Sequence, residues 1–156
     1  MTRFVWMAVV VIALTGTAFL FSTLREVPER VTYGVSFSVM QAEELGLDWR
    51  TAYRAILDDL KVRDIRIPAY WPRVEPEKDT YEWHELDFQL QEARVRDAHV
   101  ILAVGRRLPR WPECHIPGWA QKLPWEEQKK ELRAYITAVV QRYKDNVAVT
   151  YWQVEN

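Results

Sequence analysis

The chain has 156 residues, and its 21 basic and 22 acidic side chains nearly balance. No block of Lys and Arg stands out, which argues against a nucleic-acid-binding surface. Cys114 is the only cysteine, so an intrachain disulfide is excluded. The glycines are scattered and form no phosphate-binding loop, so we expect no nucleotide cofactor.

The amino-terminal segment 4–21 carries no charged side chain. A helix of this length would span about 27 Å, which is enough to cross the hydrocarbon core of a bilayer. We expect residues 1–30 to be an uncleaved membrane anchor followed by a short polar spacer. The alternative is a cleaved signal peptide that ends near Ala18. Either reading places residues 31–156 outside the cytoplasm.

Residues 31–156 alternate between strand patterns and helix patterns. β-Branched and aromatic residues mark the strands, and apolar residues at helical spacing mark the helices. Asp48 is the predicted N-cap of the first helix, and Pro124 lies in the first turn of the third. The predicted strands are 31–38, 62–67, 99–104 and 147–154, and the predicted helices are about 48–60, 86–96 and 124–143. This order predicts an α/β fold with parallel strands and right-handed crossovers.

The first predicted helix has a recognisable apolar stripe. Its residues at helical spacing are Ala52, Ala55, Ile56 and Leu60, with Tyr53 and Leu57 widening the stripe. This spacing is typical of an amphipathic helix.

The loops after the second and third predicted strands are long. The connections that lead into the second, third and fourth strands are short. In β/α barrels, long loops at the carboxyl ends of the strands build the active face. Tyr70, Trp71 and Trp111 lie in these loops, where their flat faces would suit pyranose rings; packing within the loops is the alternative. Glu113 and His115 could hydrogen-bond sugar hydroxyls.

The run Glu113-Cys114-His115 is a weak candidate for a metal site. The chain has no second cysteine, and its other histidines, His84 and His99, belong to different elements. We therefore expect no metal.

Four segments carry a resemblance to a known family: 66–71, 81–87, 105–115 and 152–156. In this order they resemble the retaining glycoside hydrolases of the clan with (β/α)8 barrels, the cellulase-like and β-galactosidase-like families. The resemblance covers about residues 31–156. It implies the amino-terminal half of a TIM barrel, with four parallel strands and three connecting helices.

The resemblance also implies roles at the end of the fourth strand. Asn156 matches the clan's Asn, which binds the sugar hydroxyl next to the anomeric carbon. In the clan, a general acid/base Glu follows this Asn, and a nucleophile Glu comes from the seventh strand; neither is among the 156 residues. Retention needs two carboxyl groups about 5 Å apart, so we expect this chain alone to be inactive.

Two charged residues complete the predicted site. Arg66 matches the clan's Arg that hydrogen-bonds the nucleophile and lowers its pKa; a structural ion pair is the alternative. Glu155 precedes the Asn and does not follow it, and a one-residue step reverses the side on which a side chain lies. We therefore expect Glu155 to be a supporting charge that lines the barrel, with Arg66 as its partner.

The sequence thus predicts a fragment of an exported, membrane-tethered glycoside hydrolase that acts on oligo- or polysaccharides with retention. The alternative is a non-catalytic, membrane-anchored module for carbohydrate binding or envelope interaction. Four strands of an eight-stranded barrel have two unpaired edges, so we also expect the half barrel to self-associate.

Overall fold

The computed structural model describes Arg3, Trp6, 31–110 and 113–156, and every structural statement below concerns these residues. Among them, no helix is both long enough and apolar enough to span a bilayer. Apart from Trp6, the predicted anchor 4–21 lies outside the described residues. The anchor therefore stays a prediction.

Residues Thr32–Asn156 form one structural unit in which strands and helices alternate. Its elements in chain order are β1 (Gly34–Ser36), α1 (Val39–Glu44), α2 (Trp49–Asp58), β2 (Asp64–Pro68), α3 (Trp71–Val74), α4 (His84–Arg94), β3 (His99–Val104), α5 (Gly118–Gln121), α6 (Trp125–Tyr143) and β4 (Val149–Val154). The predicted third strand is confirmed residue for residue. The first strand is shorter than predicted at both ends.

The four strands form one parallel sheet in the order β1-β2-β3-β4, which confirms the predicted α/β alternation. One row of the sheet pairs Ser36 with Arg66, Arg66 with Ile101, and Ile101 with Tyr151. Because all strands are parallel, their carboxyl ends and the loops that follow meet at one edge.

The two faces of the sheet differ in polarity because side chains alternate along each strand. The helix-covered face carries the buried apolar side chains Ile65, Ile67, Val100, Leu102 and Val104. On the opposite face, the side chain of Arg66 contacts Ser36 and Gln153. This open face, which corresponds to the interior of a barrel, is therefore polar near the carboxyl ends.

Helix α2 begins where the sequence predicts, and only one edge of the predicted apolar stripe is fully buried. The Asp48 carboxylate accepts a hydrogen bond from the Thr51 amide at 2.7 Å, as an N-cap does. The fully buried residues are Tyr53 and Leu57, which the sequence placed at the side of the stripe. Leu60 was wrongly assigned to the stripe, because the helix ends at Asp58 and Leu60 is 69% exposed.

The remaining residues of the predicted stripe line an apolar groove of about 560 Å³ beside the edge strand β1. Its apolar lining includes Phe37, Ala42, Leu45, Leu47, Ala52, Ala55 and Ile56. On its other side, α2 is joined to α4 by the hydrogen bond from the Tyr53 hydroxyl to the Gln89 carbonyl, at 3.1 Å. In the described residues, α2 thus has a helix neighbour on one side and an open apolar groove on the other.

Helix α6, predicted from Pro124 onward, is confirmed and fixes the chain that leaves β2. Its Tyr135 is fully buried, and the hydroxyl donates a hydrogen bond to the carbonyl of Ala69. The Tyr135 ring stacks on Trp71 with ring centres 5.6 Å apart. The short helices α1, α3 and α5 were not predicted, because four to six residues are too few to show a helical period.

Candidate functional site

Arg66 lies at the centre of a hydrogen-bonded row that joins three strands near their carboxyl ends. Its Nε donates to Ser36 Oγ on β1 at 2.9 Å, and its Nη1 donates to Gln153 Oε1 on β4 at 3.3 Å. Both partners are neutral. Among the described residues, the half-buried guanidinium therefore has no carboxylate that balances its charge.

Gln153 extends this row to the end of β4. Its Nε2 donates to the carbonyl of Glu155 at 2.9 Å and more weakly to Asn156 Oδ1 at 3.4 Å. The side chain of Asn156 is exposed at the open edge of the sheet. The structure thus brings two of the predicted site residues, Arg66 and Asn156, into one network through Gln153.

The expected ion pair between Glu155 and Arg66 is not formed. The Glu155 carboxylate instead accepts hydrogen bonds from the backbone amides of Arg106 and Arg107, at 3.2 and 2.5 Å. The reason is the backbone at Glu155, whose φ of 61° turns the side chain away from Arg66 and toward the loop after β3. Glu155 therefore supports that loop.

Trp71 was predicted to offer a stacking surface to a sugar, and this prediction is wrong. Its side chain is 0% exposed, and its indole N–H donates to the Glu75 carboxylate at 2.8 Å. Trp71 opens helix α3, and the first turn of that helix directs the ring into the core against Tyr135. The residue holds the loop after β2 in place.

The ring of Tyr70 is also buried, which contradicts its predicted role as a stacking surface for a sugar. The residue is 2% exposed, and its hydroxyl hydrogen-bonds Ser38 Oγ and the carbonyl of Pro109, both at 2.9 Å. Burial raises the pKa of this phenol above its ordinary value, although the bond with Ser38 opposes the rise. Tyr70 joins the loops that follow β1, β2 and β3.

The other predicted residues of the loop after β3 have different environments. His115 is 4% exposed and packs on Tyr70 with ring centres 4.4 Å apart. In the described part of the chain, its buried Nε2 has no hydrogen-bond partner. Glu113 is exposed, so its contact with a sugar stays a prediction. Trp111 lies outside the described residues.

Sequence reasoning missed Gln153, Ser36 and Gly105. Gln153 and Ser36 hold Arg66 from two sides, and Gly105 makes room for the carboxylate of Glu155. The signal for Gln153 was available, because Gln153 belongs to the same strand end as Asn156. Gly105 carried no signal, since its role depends on a residue from another element.

No protein-family model matches the sequence, and no curated protein matches it. The fold, however, matches solved structures, and these neighbours are glycoside hydrolases with the (β/α)8 barrel fold.

Three of these structures illustrate the match. A β-galactosidase from Marinomonas ef1 has a TM-score of 0.55 and 17% identity, over 81% of this chain and 22% of that chain. GH5_18 from Streptomyces cattleya has a TM-score of 0.61 and 18% identity, and the match covers 80% of this chain and 33% of that chain. A family 39 glycoside hydrolase from Bacteroides cellulosilyticus WH2 has a TM-score of 0.51 and 17% identity, and the match covers 83% of this chain and 26% of that chain.

The match therefore spans between 22% and 33% of the length of these three structures. Identity at this level shows a shared fold. The described residues have the architecture of part of a glycoside-hydrolase-like barrel, which confirms the resemblance found in the sequence.

Proposed function

We propose that this chain is part of a retaining glycoside hydrolase that acts on β-linked oligo- or polysaccharides. One observation carries the proposal: Arg66, Gln153 and Asn156 form one hydrogen-bonded network at the carboxyl ends of parallel strands. This edge is where β/α barrels hold their active sites. The β-galactosidases among the structural neighbours support a carbohydrate substrate.

In this function, Asn156 hydrogen-bonds a hydroxyl of the sugar at the cleaved bond. Arg66 has only neutral partners in the described residues, so its charge is available to the nucleophile carboxylate. A guanidinium in contact with a carboxylate lowers the pKa of that group and so keeps it ionised for attack. The acid/base and nucleophile groups, about 5 Å apart in retaining enzymes, would come from strands other than β1 to β4.

Hydrolysis by two polypeptides tests the proposal. We expect the 156-residue chain to release no sugar from cellotetraose or lactose, because in this proposal the acid/base and nucleophile groups come from other strands. We expect a longer polypeptide, read from the same gene through a complete barrel, to hydrolyse a β-linked substrate. The anomer formed first, followed by NMR, should have the configuration of the substrate.

The variant Asn156→Ala of the longer polypeptide should lower kcat/KM by roughly 100-fold, as the removal of a well-placed donor does. Gln91→Ala, an exposed amide on α4, is the matched control. Hydrolysis by the 156-residue chain alone, inversion, or a reading frame without further strands would each contradict the proposal.

A second candidate is a non-catalytic carbohydrate-binding module. One observation favours it: the carboxylate of Glu155, the residue before Asn156, is held by two amide donors and so is not placed to donate a proton. Such a module would bind cellotetraose through Arg66 and Asn156. Binding that is lost in Asn156→Ala, together with no hydrolysis by the longer polypeptide, would favour this candidate.

A further inference from the structure

Glu155 is the point at which the chain leaves β4, and its backbone is unusual. Its amide still donates to the carbonyl of Val104 at 2.9 Å, so the ladder with β3 continues to this residue. Its φ of 61° is in the left-handed region, which residues other than glycine, asparagine and aspartate seldom adopt. Surrounding contacts must therefore hold this residue in place.

The carboxylate of Glu155 makes those contacts in a backbone nest, the pair of consecutive amides of Arg106 and Arg107. Each carboxylate oxygen takes one amide, at 3.2 and 2.5 Å. Gly105 completes the fit, because its φ is 135° and a Cβ there would lie 2.8 Å from Cδ of Glu155. Consecutive amides that converge in this way bind anions, and here the anion is a side chain from the neighbouring strand.

The same residue sets the position of Asn156. The peptide between Glu155 and Asn156 is held on its other side by Gln153, whose Nε2 donates to the Glu155 carbonyl at 2.9 Å. The nest and Gln153 thus hold the strand end from two directions. If the nest contact were lost, relaxation of Glu155 to an extended backbone would turn Asn156 toward the other face of the sheet.

We propose that Glu155 is a positioning residue, whose carboxylate in the backbone nest fixes the direction in which Asn156 enters the cleft. The inference rests on the proposed function only for the identity of the ligand that Asn156 meets. Glu155 does not touch that ligand; it acts through Asn156.

Glu155→Gln tests the inference. The side-chain NH2 group of the glutamine would face a backbone N–H of the nest, and two donors cannot hydrogen-bond each other. The ¹⁵N-labelled 156-residue chain would be studied in a mild detergent. We expect the amides of Arg106 and Arg107 to exchange with solvent roughly tenfold faster in the variant and the side-chain amide signals of Asn156 to shift. The dissociation constant for cellotetraose should rise roughly five- to tenfold, the effect of one misplaced hydrogen bond.

Two further variants make the test specific. Glu127→Gln, which changes an exposed carboxylate in the first turn of α6, should leave the Asn156 signals unchanged. Gly105→Ala expels the carboxylate from the nest, so it should reproduce the shifts of Glu155→Gln, and the double variant should add little to either.

The outcomes separate the two proposals. Unchanged Asn156 signals in both Glu155→Gln and Gly105→Ala would overturn the positioning role, whatever the chain binds. Shifted signals without any carbohydrate binding to the unmodified chain would support the positioning role and count against the proposed function.

Discussion

His115 is buried because the loop after β3 folds back on itself. Arg107 and Cys114 form an antiparallel bridge, and the amide of His115 donates to the carbonyl of Arg106 at 2.7 Å. The imidazole then lies against Tyr70, away from solvent. Burial lowers the pKa of His115 below its ordinary value of 6.5, because the charged ring loses hydration.

This burial predicts a pH dependence of stability. Between pH 7.5 and 5.5, the unfolded chain takes up a proton at His115 more readily than the folded chain, so acidification favours unfolding. We expect the free energy of unfolding to fall more steeply in the unmodified chain than in His115→Asn, whose side chain takes up no proton in this pH range. Urea unfolding at several pH values measures both slopes.

His84→Asn controls for the loss of a histidine at an exposed position. Equal pH slopes in the unmodified chain and in His115→Asn would show that the imidazole titrates alike in the folded and unfolded states.

At the scale of secondary structure, the single-turn helix α3 couples β2 to α6 through one indole. Trp71 stacks on Tyr135 and also satisfies the buried Glu75, whose carboxylate accepts both the indole N–H and the amide of Asp79. Burial raises the pKa of Glu75, and the indole bond opposes that rise. The stability of this turn therefore depends on a hydrogen bond inside the core.

We expect Trp71→Phe to lower the free energy of unfolding by about 1–3 kcal/mol, because Glu75 stays buried but loses the indole N–H that donates to its carboxylate. Trp71→Ala should cost more, roughly 3–5 kcal/mol, because it also leaves a cavity. Trp125→Phe is the control, since Trp125 is 49% exposed. A Trp71→Phe chain of unchanged stability and weaker cellotetraose binding would restore the stacking role that the sequence assigned.

The sequence predicted elements well where the signal is local. β3 is continuously apolar from Val100 to Val104, and Asp48 is a capping residue whose partner lies three positions away. The buried face of α2 was predicted less well, because Ala52, Ala55 and Ile56 have the same apolar pattern whether they face a core or an open groove. Pattern alone does not show which neighbour is present.

The site was predictable only in part, because some of its contacts depend on residues that are distant in the sequence. Arg66 and Asn156 were found because their strand-end segments resemble those of the glycoside hydrolase clan. The burial of Trp71 depends on Tyr135 of a distant helix, and the partner of Glu155 depends on a left-handed backbone angle. Neither has a signature in the neighbouring sequence.

At the scale of the whole molecule, apolar and polar surfaces of the described residues lie open. Within the part of the chain that the structure describes, β1 and β4 each have a strand neighbour on one side only. Of the residues that line the groove beside β1, Leu45 is 64% exposed and Leu47 is 52% exposed. An open strand edge next to exposed leucines is a surface on which another copy can pack.

We expect residues 31–156 to associate at micromolar concentrations, as chains with open edges and apolar grooves do. Leu47→Lys should lower the average mass measured by light scattering, because it places a charge in the groove. Leu60→Lys should not, since Leu60 is 69% exposed and lies outside the groove lining. A monomer at every concentration would show that neither the groove nor the strand edges drive association.

The order of the sheet has a consequence for the way the protein is made. Because β1, β2, β3 and β4 are neighbours in space in the order of synthesis, each strand can join the sheet as soon as it leaves the ribosome. Each of β2, β3 and β4 then pairs with a strand that has already been made, and no ladder between β1 and β4 waits for a distant segment. Growth of this part of the sheet is thus directional, from β1 to β4.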